Sequence, residues 1–233
     1  KSDQTENRGA FEGNMADHYS ITGVPTGANT VNGFVETWYD QSGNGNDVAQ
    51  TTSTKQPKIV SSGSLLTQGS KACINFDGSD DFLERATYTQ GTLSQPNTFF
   101  SVVKLDAYTD TDRKVYDSHD ASARNVLFLS TSGNGEFAHF AGTTRTTGED
   151  ADANQHLFTS LSNGAASRLR IDSTQKSTDD AGSQSMIGLV IGSKMLMDAD
   201  FWDGDMQEII VYNSNQTSNF TPLEGNIKSY YSI

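Results

Sequence analysis

The 233-residue chain carries 16 Lys and Arg against 29 Asp and Glu. Its net charge of −13 argues against nucleic acid and against anionic membrane as partners, because both need a basic face. The length suits one large all-β domain with a real core, and 21 Gly beside many Ser, Thr, Asn and Asp suit short strands joined by tight turns.

No apolar run reaches the length of a membrane span, so no membrane insertion is expected. No signal peptide is expected from the opening residues as given. The chain opens on Lys1 rather than Met, and the expectation is a single domain over residues 1–233, a fragment of or processed from a longer chain. One cysteine, Cys73, cannot close an internal disulfide and reads as a buried, inert thiol.

Residues 1–32 are polar, with Phe11, Met15, Tyr19, Ile21 and Val24 spaced singly, and read as loop and short strands wrapping the body. From Val31 to Trp38 the pattern sharpens into strand, and Trp38–Asp47 reads as a strand end entering a tight turn. There Asp40 can accept from its own backbone two residues on, while Gly43 and Gly45 accept positive φ at low cost. Pro57–Val60 is a short strand with Pro at its start. In Lys71–Phe76, Ala72, Ile74 and Phe76 alternate against Lys71, Cys73 and Asn75; Asp77–Asp81 is a turn, and Phe82–Ala86 follows. Thr98–Leu105 is the most continuously apolar strand, which places it mid-sheet.

Lys114–Asp117 and Asn125–Leu129 continue the series. Gly133-Asn134-Gly135 turns into Glu136–Ala141, a hairpin of the Asn-Gly type. His156–Leu161 and Arg168–Asp172 form another hairpin across Ser162-Asn163-Gly164, and Ser173–Gln184 reads as loop. Ile187–Gly192 is a buried strand and Phe201–Tyr212 runs from edge to core. In the tail Ser218–Tyr231, Ser218 or Asn219 could cap a helix whose first turn suits Pro222 and whose one face carries Leu223, Ile227 and Tyr230 or Tyr231. Phe100, Val102, Leu189, Ile191, Ile209 and Val211 are expected to share one core.

The segments TWYDQSGNGND, PKIV, INFDGSDDFL, NTFFSVVK, FWDGDMQEIIVYN and IKSYYSI together resemble the concanavalin A-like (laminin G-like) jelly-roll domains found in bacteriophage structural proteins and secreted bacterial proteins. With the strand pattern, the resemblance implies an all-β, antiparallel two-sheet jelly-roll sandwich of about twelve strands with a short C-terminal helix. It also implies an extracellular or virion-surface setting, as in a tail fibre, decoration or appendage protein. The partners would be a surface glycan and other structural proteins of the same assembly.

The four histidines, His18, His119, His139 and His156, show no metal-ligand spacing and read as structural or surface residues. No Gly-x-Ser-x-Gly elbow and no helix-opening Gly-x-Gly-x-x-Gly is present. Acidic turns offer hard oxygens to Ca²⁺: Asp77, Asp80 and Asp81; Asp198, Asp200, Asp203 and Asp205; Asp110 and Asp112. The resemblance adds weight, since many such jelly rolls hold Ca²⁺ near a sheet edge; Asp77, Asp80, Asp81, Asp203 and Asp205 are the metal candidates, and turn-capping is the alternative.

For glycan binding, Tyr108, Tyr116 and Trp202 are the candidate stacking residues. The other reading is a secreted glycoside hydrolase, because α-L-arabinofuranosidase catalytic domains share the jelly roll and a similar YDQSGNGN turn, here Tyr39–Asn46. The resemblance places Glu136 at the nucleophile, but the stretch Tyr212–Thr217, where an acid would stand, has no carboxylate. The non-enzymatic binding or adhesion module is therefore the leading expectation, with a plain structural module as a third.

Overall fold

The computed structural model describes residues 31–108, 111–131 and 135–233. The expectations for residues 1–30, including His18, and for Asp110, Gly133 and Asn134 lie outside them.

Two large antiparallel sheets face each other. From edge to edge the nine-stranded sheet runs Gly33–Phe34, Lys58–Ser61, Ile74–Asp77, Asp203–Tyr212, Asn97–Leu105, Gln155–Ser162, Arg168–Ile171 and Thr174–Ser177, with Ser64–Leu65 beside Lys58–Ser61. The eight-stranded sheet runs Thr144–Asp150, Glu136–Phe140, Val126–Ser130, Arg113–Asp117, Leu189–Ile191, Leu83–Arg85, Val48–Ala49 and Thr37–Trp38. The stretch read as one strand, Val31–Trp38, divides between the sheets: the chain crosses at Val35, which is completely buried. The aromatic turn strand and Asp203–Tyr212 therefore lie in different sheets, and the latter is central rather than an edge.

Between the sheets pack Ile74, Phe76, Phe99, Val103, Leu105 and Met206 from one side and Val115, Tyr116, Leu127, Leu129, Phe137 and Ile191 from the other. The expected core holds for Leu189, Ile191, Ile209 and Val211. It is corrected for Phe100 and Val102, which point outward beneath the C-terminal helix Phe220–Tyr231 with Leu157, Leu161, Phe220, Ile227 and Tyr231. This explains why Asn97–Leu105 is apolar on both faces: one meets the other sheet, the other meets the helix.

The helix is pinned by Glu224, fully buried, whose carboxylate accepts from Arg170 Nε at 2.7 Å and Thr159 Oγ1 at 2.8 Å. Pro222 sits in its first turn as expected, whereas neither Ser218 nor Asn219 caps it: residues Thr217–Asn219 form a 3₁₀ turn, and Asn219 makes no side-chain cap bond. No helix among the described residues is long and apolar enough to cross a membrane.

The Trp38 turn closes as its residues dictate. Asp40 Oδ1 accepts from Ser42 N at 2.8 Å, Asp40 Oδ2 accepts from Asn46 N at 2.9 Å, and Asp47 Oδ1 accepts from Asp40 N at 2.8 Å. Burial works against the Asp40 charge, but the bonds from Ser42 and Asn46 hold its carboxyl below the ordinary value. Gly43 and Gly45 both take positive φ, +82° and +68°.

Two segments behave differently from their sequence. Thr174–Ser177, expected as loop, is an edge strand, and Thr144–Asp150 is a strand the pattern did not announce.

Candidate functional site

Thr144–Asp150 and Thr174–Ser177 are edges of different sheets, and the salt bridge from Lys176 Nζ to Glu149 Oε2, 2.5 Å, ties them together at one side of the sandwich. Beneath it lies a cavity of about 180 Å³ lined by Phe137, Ala151 and Ile171 on the apolar side. Its polar wall is made by Glu149, Asp150, Asp152, His156, Asp172, Thr174 and Lys176.

Local geometry places each of these groups. Asp172 and Ser173 both take positive φ, 50° and 73°, in the two-residue turn between Ile171 and Thr174, the hairpin geometry that matches strand twist. So set, Asp172 accepts from Leu157 N at 2.9 Å with Oδ1 and meets His156 Nδ1 at 2.6 Å with Oδ2. Asp152 Oδ1 meets the other ring nitrogen, Nε2, at 2.9 Å. Burial disfavours the imidazolium, but the two carboxylates outweigh it and raise the His156 pKa. Burial likewise opposes the Asp152 charge, which the bonds from Asn154 and His156 nonetheless hold below the usual carboxylate range. With both nitrogens engaged, His156 is built to hold charge in place rather than to take a substrate proton.

Glu136 stands next to this cavity. It is the cross-strand partner of Asp150, and its Oε2 accepts from Gly148 N at 3.1 Å. Opposed residues on one sheet face have Cβ atoms about 5 Å apart, so a second carboxylate does face Glu136, from a strand the sequence did not reveal.

The stacking candidates are corrected. Tyr116 and Trp202 are completely buried between the sheets, where Tyr116 stacks on Phe99 at 4.4 Å and Trp202 lies 6.4 Å from Phe137. Neither can offer a ring face to a sugar. Tyr108 packs against the same core and over Gly135, where a Cβ would fall 2.1 Å from its ring.

The metal candidates divide. Asp77, Asp80 and Asp81 bring ligand oxygens within 4.8 Å of one another. Burial, with the Asp77 charge next to it, pushes Asp81 up to about 7. These three carboxylates are close enough together that they could hold a metal ion. Asp203 and Asp205 do not join it: Asp203 faces Arg113 at 3.4 Å, and Asp205 accepts from Asn75 Nδ2 at 3.0 Å. Asp112 and Asp200 instead flank the buried Lys114 ammonium at 3.3 and 3.2 Å. Cys73 is buried as expected, and burial with the nearby Asp205 pushes its thiol up to about 12, out of nucleophilic range.

His156 is the residue the sequence reading passed over. Its signal was Asp152 four positions earlier; the second clamp, Asp172, comes from across a hairpin.

No family model matches the chain, and no curated protein matches it in sequence. Solved structures share its fold. An arabinofuranosidase complexed with arabinofuranosyl-alpha-1,2-xylobiose superposes with a TM-score of 0.61 at 14% identity, over 85% of this chain and 51% of that one. Trypanosoma rangeli sialidase in complex with the inhibitor DANA gives 0.55 at 13% identity, over 89% and 33%. A Bacteroides ovatus ATCC 8483 protein assigned to carbohydrate binding gives 0.52 at 14% identity, over 70% and 53%. This chain thus spans between a third and about half of the length of each. At such identities the likeness is one of fold: an antiparallel two-sheet β-sandwich of the jelly-roll kind.

Proposed function

We propose that the chain is a non-enzymatic glycan-binding module that holds a sugar in the cavity between the Thr144–Asp150 and Thr174–Ser177 edges. The observation that carries this is the cavity itself, lined by the apolar Phe137 and Ile171 together with polar groups, among which Asp152 and Asp172 pair with His156 and Glu149 pairs with Lys176. Such polar groups bond sugar hydroxyls while the apolar residues take the ring's C–H face. A volume of about 180 Å³ suits a small ligand such as one sugar residue rather than a long chain. The fold likeness to proteins named for carbohydrate binding and hydrolysis supports the same class. The setting in this reading is extracellular or a virion surface, with other structural proteins of the assembly as neighbours and Ca²⁺ at Asp77, Asp80 and Asp81 as a structural ion.

The test is a ¹⁵N-labelled domain titrated with glycans found by array screening. Amide shifts at Asp150, Asp152, Thr174 and Lys176 are expected. Glycan binding that leaves those amides unmoved would dislodge the cavity from the account, and an array without binders would dislodge the function.

One observation favours hydrolysis as a second reading: Asp150 stands in register with Glu136, and retaining glycosidases need two carboxyls about 5 Å apart. Release of aryl arabinoside by wild type, lost in both Glu136→Gln and Asp150→Asn, would replace binding with catalysis. Background release from all three proteins is the expected result.

A further inference from the structure

The charge of the cavity wall is lopsided. Glu149, Asp150, Asp152 and Asp172 line it against Lys176 and His156 alone, so acidic groups outnumber basic ones by two even with the imidazole protonated. Both cations are already committed, Lys176 to Glu149 and His156 to Asp152 and Asp172. A ligand carboxylate entering here would meet like charge with no uncommitted cation on the wall to receive it, inside a chain of net charge −13. A ligand ammonium would meet the reverse: a wall on which carboxylates exceed cations by two, so that its net charge attracts a cation even though its ion pairs are already formed.

We infer that the cavity selects glycans bearing a free amine, such as glucosamine or galactosamine residues, over neutral sugars and against carboxylated ones. The inference rests on the glycan-binding reading and adds to it the chemical class of the sugar. The neutral wall members keep their part: the Thr174 hydroxyl can bond ring hydroxyls, and Phe137 and Ile171 can take the apolar face, while the carboxylates decide which substituent is favoured.

The experiment uses the whole chain and four methyl glycosides in each of the gluco and galacto series: the free amine, its N-acetyl form, the neutral hexose and the uronate. Affinity is read from NMR titration in chelator-containing buffer at low and at 0.5 M salt. The amine should bind tightest in its series, the uronate should not bind, and salt should erode the amine's advantage. Asp150→Asn should weaken the amine by about two- to fivefold, as expected for a partly exposed ion pair, and weaken the neutral sugar by a smaller factor, so that the amine's advantage over it shrinks. Folding of the variant is checked by its unchanged spectrum elsewhere. Neutral or N-acetyl sugars binding as tightly as the amine would overturn the inference while leaving the glycan reading standing. Amine binding that is equal in wild type and Asp150→Asn would show charge attraction outside the cavity and also overturn it. No binding by any member, together with an empty array, would remove both.

Discussion

His139 sets its Nε2 2.9 Å from Ser162 Oγ and so joins the eight-stranded sheet to the nine-stranded one inside the sandwich. The same nitrogen lies 3.2 Å from Asn125 Oδ1, and Asn125 in turn donates to Asn97 Oδ1 at 2.7 Å. Burial pushes the imidazole from 6.5 down to about 4. The unfolded chain therefore takes up a proton that the folded one refuses, and stability contributed above pH 6.5 is lost as the pH falls from 6.5 towards 4. That window corresponds to at most roughly 3 kcal/mol. Asp81, raised to about 7, runs the other way, since its buried carboxyl costs stability as the pH rises from 3.8. Urea melts at pH 7.5 and 5 should show wild type losing more stability on acidification than His139→Gln. Equal losses would mean that the imidazole titrates as if exposed.

A second bond between the sheets makes a cleaner mutational cycle. Tyr116 Oη lies 2.6 Å from Ser160 Oγ, and both residues are buried. Tyr116→Phe should cost about 1–3 kcal/mol because the Ser160 hydroxyl is left without a partner. Tyr116→Phe with Ser160→Ala should cost less than the sum of the single changes. Strict additivity in denaturant melts would dissolve the coupling.

Gly43 and Gly45 separate backbone strain from crowding. A Cβ at either would meet nothing within 4 Å, yet both have positive φ. Gly43→Val and Gly45→Val should each destabilise by roughly 1–3 kcal/mol on conformational grounds alone. Gly204→Ala should cost more than Gly43→Ala, because its Cβ would fall 2.1 Å from the Lys104 carbonyl oxygen. Thermal melts that rank Gly43→Ala as the worse of the two would contradict this order.

For the Asp77 turn, Ca²⁺ at a hundred times its dissociation constant should stabilise the fold by about 2.7 kcal/mol through binding to the native state alone. Asp80→Asn should reduce the rise in melting temperature. Identical melting in chelator and in millimolar Ca²⁺ would remove the ion.

The sequence was legible where packing writes a pattern. Asn97–Leu105 and Leu189–Ile191 are apolar because both of their faces are covered, and the helix shows its face through Leu223, Ile227 and Tyr231. Thr144–Asp150 and Thr174–Ser177 were illegible because edge strands over a polar cavity keep Thr, Gln, Lys and Glu, which carry no period of two. The cavity is made from these strands, so the site was hidden for the same reason. Trp202 misled in the opposite sense: an aromatic amid aspartates suggests a surface platform, but the chain turns it wholly inward.

The position of Asn97–Leu105 bears on how the molecule is made. Its two neighbours are Gln155–Ser162 and Asp203–Tyr212, both of which follow it at long sequence separation. A nascent polypeptide that has emerged only to residue 202 has the most apolar strand of the sheet open along one edge, and the helix that shields its outer face is still unsynthesised. The nine-stranded sheet therefore cannot close until a strand at long sequence separation from Asn97–Leu105 has been made. It closes late, through long loops, and until then it offers an unpaired hydrophobic edge to chaperones or to other copies of itself.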